Sequence, residues 1–178
     1  HAGHPDVEGT LGQSNESNHI NLIESINDVE GLELSEDLDI SYTTQTTLSV
    51  DDTKLIVNSL KTKFPKIQEP KKSDICYATQ NRQDSVKVMI KNSEMLLVIG
   101  SKNSSNSNRL KEIAEKSGKP AYLIDGSADI KNEWLSGIDS IGVTAGASAP
   151  EILVQAVVSY LMMNGVSEVV DVSGTKES

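Results

Sequence analysis

The stretch MLLVIGSKNSSNSNRL, residues 95–110, decides the fold, because five apolar residues are followed directly by a polar loop and a helix-like segment. A short continuous apolar run is typical of a strand that is buried on both faces. The hydroxyl and amide side chains of residues 103–106 can hydrogen-bond phosphate oxygens beside the free N–H groups of a helix N-terminus. Ser and Asn are also preferred helix caps, so the stretch alone leaves two interpretations open: an anion site or an ordinary capped helix start.

The second half of the sequence alternates short apolar runs with helical patterns, which predicts an α/β fold with a parallel sheet covered by helices on both faces. The predicted strands are 95–99, 121–124 and 140–144, and the predicted helices are 81–91, 108–117, 130–135 and 150–163. Ligands bind at the carboxyl ends of the strands in such sheets. A second loop at such an end, 145–150, contains Gly146 and Ser148, so the two loops together favour a shared anion pocket.

The first half of the sequence is less regular, and its clearest element is a helix over 49–64. Ser49 is a suitable cap, two aspartates follow in the first turn, and Pro65 ends the pattern. The other expected elements are strands over 20–23 and 39–43 and a helix over 25–32. The segment 66–73 is rich in lysine and contains proline, which indicates an exposed connector, so we place a domain boundary between residues 70 and 71.

Composition narrows the classes of function. The chain has 178 residues, enough for one large domain or two small ones that each bury a core. A formal net charge of −10 and a pI near 4.7 argue against nonspecific binding to nucleic acid or to an anionic membrane, since both require a basic field. No apolar run approaches a membrane span of about 20 residues and no secretory signal is recognisable, so we expect a cytoplasmic protein that holds an anionic ligand by local donors.

Cys76 and a pair of threonines are candidates for chemistry. Cys76 is the single cysteine, which excludes an internal disulfide and leaves a buried thiol, a reactive thiol or one ligand of a metal centre. Thr46 and Thr47 follow the expected strand 39–43, so their hydroxyls are expected at its carboxyl end. Two adjacent threonines before a helix also occur without any function, and both interpretations stay open.

His4 and Asp6 flank a proline and form the second candidate group. A histidine can pair with phosphate or take part in proton transfer, and a nearby carboxyl group can supply the proton. His1, His4 and Asp6 also suggest zinc, but no second group of ligands accompanies them in the sequence. Proton transfer or phosphate pairing is therefore the favoured interpretation.

Five segments, taken in order, resemble the LytB/IspH family, the 4-hydroxy-3-methylbut-2-enyl diphosphate reductases of the non-mevalonate (MEP) isoprenoid pathway. The segments are 3–10 (GHPDVEGT), 44–53 (TQTTLSVDDT), 74–79 (DICYAT), 100–109 (GSKNSSNSNR) and 142–150 (GVTAGASAP). The resemblance implies an oxidoreductase that performs a reductive dehydroxylation. Two electrons and two protons remove an allylic hydroxyl as water and give isopentenyl and dimethylallyl diphosphate.

The resemblance also implies a particular fold and cofactor. The family resembles a three-lobed trefoil around a 4Fe–4S cluster held by three cysteines. This chain then corresponds to two small parallel-sheet αβ lobes, the incomplete remainder of the trefoil. Residues 1–70 are the middle lobe without its first helix and strand, and residues 71–178 are the C-terminal lobe with a tail. Two of the three cysteine ligands are absent, so we expect the chain by itself to be inactive.

Site residues follow from the resemblance position by position. Cys76 matches the last cluster cysteine, and Asp6 stands where the family has a proton-relay glutamate, so it keeps the carboxyl group but loses one methylene. Asp6 and Thr46 are the implied catalytic residues. The implied substrate contacts, with the serine and asparagine side chains on the diphosphate, are His4, Thr46, Ser104, Ser105, Asn106 and Ser148.

The implied partners are a small allylic diphosphate and a ferredoxin or flavodoxin that donates electrons, with no nucleic acid and no membrane. A rival hypothesis of another class is a noncatalytic α/β module that binds a small phosphorylated ligand, which the loops at the strand ends permit by themselves. An iron–sulfur absorption band that depends on Cys76 distinguishes the two.

Overall fold

The apolar run Met95–Ile99 forms the central strand of a three-stranded parallel sheet in the computed structural model, which describes residues 2–15, 18–35 and 37–172. This strand, β1, lies between β2 (Ala121–Ile124) and β3 (Ile141–Ala145). Leu96 pairs with Ala121 on one side and with Gly142 on the other. All five residues of β1 are at most 1% exposed, as expected for a strand with both edges paired and both faces covered.

The helices of the described residues are, in chain order, α1 (Pro5–Leu11), α2 (Ile26–Gly31), α3 (Val50–Lys63), α4 (Tyr77–Met89), α5 (Ser105–Lys116), a 3₁₀ turn (Ser127–Asp129), α6 (Asn132–Leu135) and α7 (Glu151–Met163). The chain divides into two compact units, His1–Ile75 and Cys76–Ser178. The first unit therefore contains α1 to α3, and the second contains the sheet with α4 to α7. Among these helices none is long and apolar enough to cross a membrane.

The second unit has three layers because successive side chains of β1 point to opposite faces. Leu96 and Val98 pack with Leu110 of α5 and Val86 of α4 on one face. Met95, Leu97 and Ile99 pack with Val157 and Leu161 of α7 on the other. The sheet therefore separates two apolar layers, and its carboxyl edge carries the loops that enter α5 and α7.

Two helices of the second unit begin earlier than the sequence pattern predicts. Helix α4 begins at Tyr77 rather than at residue 81, because the Cys76 side chain accepts the Thr79 N–H as an N-cap. Helix α5 begins at Ser105 rather than at residue 108, because Ser104 is its cap. The predicted strands 95–99 and 121–124 are confirmed, and the third is shifted by one residue.

The first unit packs α2 against α3. Val29 of α2 is buried with Leu60 and Phe64 of α3. Lys63 strengthens the contact, since its Nζ donates to the carbonyls of Val29 and Glu30, at 2.9 and 2.6 Å, at the C-terminus of α2. The predicted helix over 49–64 is confirmed as α3, with Ser49 as its cap.

The α/β class is confirmed, but the structure differs from the expectation of a parallel sheet in each unit. Segments 20–23 and 39–43 do not form strands, and the second makes one isolated bridge, Ser41 with Gln68. Side chains satisfy backbone groups that a neighbouring strand would otherwise pair. The Ile20 N–H donates to Ser14 Oγ at 3.3 Å, and the Thr44 N–H donates to Asp74 Oδ2 at 2.8 Å.

Candidate functional site

The first turn of α5 holds three of the predicted binding residues, Ser104, Ser105 and Asn106. Ser104 Oγ accepts the N–H of Ser107 at 3.3 Å, which is an ordinary N-cap. The cap explains why the chain turns into a helix directly after the loop that follows β1. It also places the positive end of the helix dipole at the carboxyl edge of the sheet.

Asn106 is the most informative side chain of this turn. It is 5% exposed, yet neither its amide nitrogen nor its amide oxygen has a hydrogen-bond partner among the described residues. A buried polar group without a partner costs about 1–3 kcal/mol, so leaving the Asn106 amide unpaired is unfavourable for the fold. A ligand with oxygen acceptors would satisfy the amide N–H groups, whereas helix capping requires only Ser104.

The loop after β3 lies beside this turn. A Cβ built on Gly146 would lie 2.2 Å from Ser107 Oγ, so the β3 loop and α5 are in direct contact at Gly146. The Gly146 N–H donates to the Ile99 carbonyl at 2.8 Å, which fixes the loop to the end of β1. Ser148 is exposed in the same loop. The two polar loops predicted at strand ends therefore lie at one sheet edge.

A positive charge from α4 also reaches this edge. Arg82 is half-buried, and its Nε donates to the carbonyl of Ala145 at 3.1 Å. Arg109 on α5, in contrast, forms an ion pair with Glu112. In a chain with net charge −10, the donors for an anion here include neutral side chains and backbone N–H groups, and Arg82 adds a positive charge at this edge.

Cys76 lies at the N-terminus of α4 and is exposed. Its Sγ is 3.1 Å from the Thr79 hydroxyl and accepts the Thr79 N–H at 3.4 Å. The Thr79 hydroxyl is the main cause that lowers the pKa of the Cys76 thiol, helped by the N–H groups of Thr79 and Ala78 and by Arg82. The Cys76 thiol therefore ionises more readily than an ordinary cysteine, and the thiolate is the form that binds metals.

The described residues include no group of three or more His, Cys, Asp and Glu side chains placed to hold a metal ion. Cys76 could serve as one metal ligand, but a single thiolate is too few to hold an iron–sulfur cluster. The zinc alternative involves His1, which lies outside the described residues. His4 and Asp6, which do lie within them, belong to no such group.

His4 and Asp6 meet at the start of α1. The Asp6 N–H donates to His4 Nδ1 at 3.2 Å, so the proton of the neutral imidazole lies on Nε2. Asp6 Oδ2 lies 3.7 Å from the same Nδ1, a distance that suits an ion pair only when the ring is protonated there. The contact with the Asp6 N–H is the shorter of the two, so the backbone of Asp6 holds the imidazole beside the Asp6 carboxylate.

Glu8, the other carboxylate of α1, has a structural contact. Its Oε1 accepts the N–H of Gly3 at 3.2 Å. Gly3 has a φ of 76°, a left-handed conformation that favours glycine, and it sets the turn that leads into His4. Glu8 thus supports the backbone before His4, whereas the Asp6 carboxylate lies 3.7 Å from His4 Nδ1.

Thr46 lies in an exposed turn before α3, in a segment held by a carboxylate. Asp74 Oδ2 accepts the Thr43 hydroxyl at 3.1 Å and the Thr44 N–H at 2.8 Å. The hydroxyl oxygen of Thr44 is buried and has no hydrogen-bond partner within the part of the chain that the structure describes. Asp74 therefore fixes the backbone two residues before Thr46.

The structure thus groups the predicted residues within each unit. Ser104, Ser105, Asn106 and Ser148 share the sheet edge of the second unit, and His4 and Asp6 form a pair in the first. Sequence reasoning missed two supporting residues, Ser107 and Asp74. Ser107 stands inside the Ser/Asn run, where nothing distinguishes it from its neighbours, and Asp74 stands inside the 74–79 segment two residues before the cysteine.

Comparisons with known proteins agree on one family. A family model described as LytB protein matches residues 1–162. A 4-hydroxy-3-methylbut-2-enyl diphosphate reductase from Vesicomyosocius okutanii is 62% identical over 178 residues, which is all of this chain and 58% of that protein. The Yersinia pestis protein of the same name is 54% identical over 179 residues and is covered to 56%. The chain therefore spans a little more than half the length of these relatives.

A solved structure gives the same result. The E-1-hydroxy-2-methyl-but-2-enyl-4-diphosphate reductase from Plasmodium falciparum matches with a TM-score of 0.84 and 34% sequence identity. The match covers 91% of this chain and 50% of that one. The likeness in fold extends over nearly the whole described chain.

Proposed function

The chain belongs to the LytB protein family, and on that premise we propose that it supplies diphosphate-binding and proton-donating residues to a 4-hydroxy-3-methylbut-2-enyl diphosphate reductase. Asn106 is the observation that carries the proposal. The residue is 5% exposed at the start of a helix and its amide lacks a partner among the described residues, as expected of a side chain that binds an anionic ligand. The names of the relatives supply the class of that anion, an allylic diphosphate.

The diphosphate is proposed to bind at the carboxyl edge of the sheet. Ser104, Ser105, Asn106 and Ser148 are its side-chain donors, and the dipole of α5 stabilises the negative charge. Hydrogen bonds to a charged group contribute about 1.5–3 kcal/mol each, more than neutral ones. A few such bonds suffice to bind the anion in a chain with a net negative charge.

Proton delivery is assigned to the first unit. Asp6 is the proton-relay residue, because its carboxyl group lies beside His4 Nδ1 and Glu8 is engaged with Gly3. His4 contacts substrate, with its neutral ring carrying the proton on Nε2. Thr46 is a catalytic hydroxyl that also contacts substrate, on a backbone that Asp74 holds in place.

Cys76 is proposed as one thiolate ligand of a 4Fe–4S cluster, which when bound would supply electrons and Lewis acidity. Its exposed Sγ at a helix N-terminus, with the pKa lowered chiefly by the Thr79 hydroxyl, suits that role. A cluster needs three or four thiolates, so the remaining ligands must come from outside the described residues. The 178-residue chain alone is expected to hold no stable cluster and to be inactive, and the electron donor of the complete enzyme is expected to be a ferredoxin or flavodoxin.

The test uses the product of the whole reading frame that encodes this chain, called the whole-frame protein below. It is purified without oxygen, reconstituted with iron and sulfide, and assayed with the allylic diphosphate and a chemically reduced viologen dye. We expect the whole-frame protein to show a cluster absorption band and turnover. The Cys76→Ser variant should lose both but still bind inorganic pyrophosphate. Thr79→Ser is the matched control, because it retains the hydroxyl near Sγ.

Two results would contradict the proposal. A colourless whole-frame protein that still binds pyrophosphate would favour a noncatalytic module for phosphorylated ligands. A protein with normal turnover after Ser104→Ala, Asn106→Ala and Ser148→Ala would show that these loops serve only as helix starts.

A further inference from the structure

Ser107 is buried at the meeting point of the two strand-end loops, and we infer that it is a positioning residue that fixes the Ser104 hydroxyl as a donor toward the bound diphosphate. The inference rests on the proposed function, since it assigns a role within the same site. Ser107 is 1% exposed, so its own side chain is shielded from ligand and solvent. Its effect must pass through the groups that it touches.

Two glycines show how tightly the Ser107 hydroxyl is enclosed. A Cβ built on Gly100 would lie 2.2 Å from Ser107 Oγ, and a Cβ built on Gly146 would lie 2.2 Å from the same atom. Neither glycine has a positive φ, so conformational freedom does not explain the absence of a side chain. The hydroxyl therefore lies against the residue that follows β1 and the residue that follows β3.

The hydrogen bonds of Ser107 determine what Ser104 can do. Ser104 Oγ accepts the Ser107 N–H at 3.3 Å and also accepts the Ser107 hydroxyl at 3.0 Å. A hydroxyl oxygen has two lone pairs and one proton, so both acceptor sites of Ser104 are filled by Ser107. The Ser104 proton is then not used between the two serines, so Ser104 can donate it to an anionic oxygen.

The same contact couples the loops. Because Ser107 Oγ touches Gly146 and bonds Ser104, a shift of the β3 loop that carries Ser148 would displace the donor on α5. Packed interiors respond to changes of a single atom, since they contain few voids. Ser107 thus fixes the Ser104 donor relative to the β3 loop without touching the ligand.

The functional test is a double-mutant cycle in the whole-frame protein, with inorganic pyrophosphate as a competitive probe. We expect Ser107→Ala to weaken pyrophosphate inhibition and to raise KM by about threefold to tenfold, with a smaller change in kcat. In the Ser104→Ala background the same substitution should change pyrophosphate inhibition less than about twofold, because Ser107 acts through Ser104. Equal effects in both backgrounds would overturn the inference.

The cycle separates failure of this inference from failure of the proposed function. If Ser104→Ala and Asn106→Ala leave pyrophosphate inhibition unchanged, the diphosphate assignment itself is wrong. If those two variants weaken inhibition and Ser107→Ala does not, the site binds diphosphate and only the role of Ser107 is wrong.

A stability cycle tests the geometry without any ligand. Gly146→Ala should lower the thermal midpoint, because its Cβ would lie 2.2 Å from Ser107 Oγ. In Ser107→Ala only the Ser107 Cβ remains, at 3.5 Å, so at least half of the loss should be recovered. For Gly100→Ala, Ser107→Ala should restore a smaller part of the lost thermal midpoint, because the new Cβ would still lie 3.0 Å from the Ser107 Cβ. The matched control is the Ser85→Ala background, which removes a serine hydroxyl elsewhere, on α4. If Gly146→Ala lowered the thermal midpoint equally in the Ser107→Ala and Ser85→Ala backgrounds, the placement of Ser107 would be wrong.

Discussion

In both units a serine side chain caps the start of a helix, but the segments that precede the two helices differ in structure. Ser104 caps α5 after a strand that is paired on both sides, whereas Ser49 caps α3 by accepting the Asp52 N–H at 3.2 Å after a segment with one isolated bridge. In the first unit the Asp74 carboxylate accepts the Thr44 N–H, a bond that a carbonyl of a neighbouring strand would otherwise accept. The comparison shows that a hydroxyl cap marks a helix start and says nothing about the structure before it.

The units also differ in the chemistry that they present. The first carries an ionisable pair, His4 and Asp6, near the surface, and the second carries neutral hydroxyl and amide donors around the buried Asn106. Proton transfer needs a group that titrates, and tight anion binding needs donors that are already oriented. The division predicts that substitutions in the two units affect different kinetic constants.

The largest expected effect lies in the first unit. In the whole-frame protein, Asp6→Asn should lower kcat by about 10²–10⁴-fold with little change in KM, because positioned proton transfer contributes that much. Asp6→Glu should retain or improve turnover, and Glu8→Gln, which keeps an acceptor for Gly3, is the matched control. If Asp6→Asn stayed active while Glu8→Gln abolished turnover, the relay would belong to Glu8.

The second prediction compares the two cores. Leu97→Ala at the centre of β1 should destabilise the second unit by about 2–5 kcal/mol, because it removes a fully buried side chain between paired strands. The single tryptophan, Trp134, stacks on Tyr122 in this unit, so its fluorescence follows unfolding of the sheet region. Leu60→Ala in α3 is the counterpart in the first unit, and a larger loss there than for Leu97→Ala would break the comparison.

The third prediction concerns the unpartnered amide. Asn106→Leu should weaken pyrophosphate inhibition by about tenfold to a hundredfold, since it removes donors to a charged group. The same change should raise the thermal midpoint of the ligand-free protein, because an unsatisfied buried polar group is replaced by an apolar side chain of similar size. A loss of both binding and stability would instead assign Asn106 a structural role.

Asp74 is expected to have a smaller and more local effect. Asp74→Ala should destabilise the first unit by about 1.5–3 kcal/mol, since it removes a charged acceptor from the Thr43 hydroxyl and the Thr44 N–H. Faster amide hydrogen exchange at Thr44 measures the change directly. Thr43→Val removes only one of the two bonds and should have an intermediate effect. An unchanged exchange rate in Asp74→Ala would show that the carboxylate does not replace a strand there.

The smallest expected effect is a pH dependence at α2. The N–H of Glu24, followed by the Ser25 hydroxyl and N–H, lowers the pKa of Asp28 below its ordinary value. A lowered carboxyl pKa adds stability that is fully present above the unfolded-state pKa of about 3.9 and is lost as pH falls through the folded-state pKa. Asp28→Asn should therefore lower the thermal midpoint at neutral pH, and the difference should close in acid. The exposed Asp37→Asn serves as control, and a difference that persisted at low pH would contradict the assignment.

Much of the second unit was predictable because its signals are local. The run Met95–Ile99 has no polar residue, so it is suited to a central strand, and the strand 121–124 and the closing helix 150–163 follow from similar patterns. The helix starts at Tyr77 and Ser105 were placed too late, because a Cys cap and a Ser within a polar run do not stand out. In the first unit the expected strands failed because strand formation depends on a partner that the segment itself does not encode.

The sequence by itself determined the α/β class, the family resemblance and the residues assigned to the site, since apolar runs, caps and ordered motifs are properties of neighbouring residues. Only the tertiary structure decided that Ser107 lies between Gly100 and Gly146, that Asn106 is buried without a partner, and that Asp74 holds Thr44. These facts depend on contacts between segments that are distant in the chain. The physical reason is that burial and hydrogen-bond satisfaction are set by what packs around a side chain, and no local pattern specifies those neighbours.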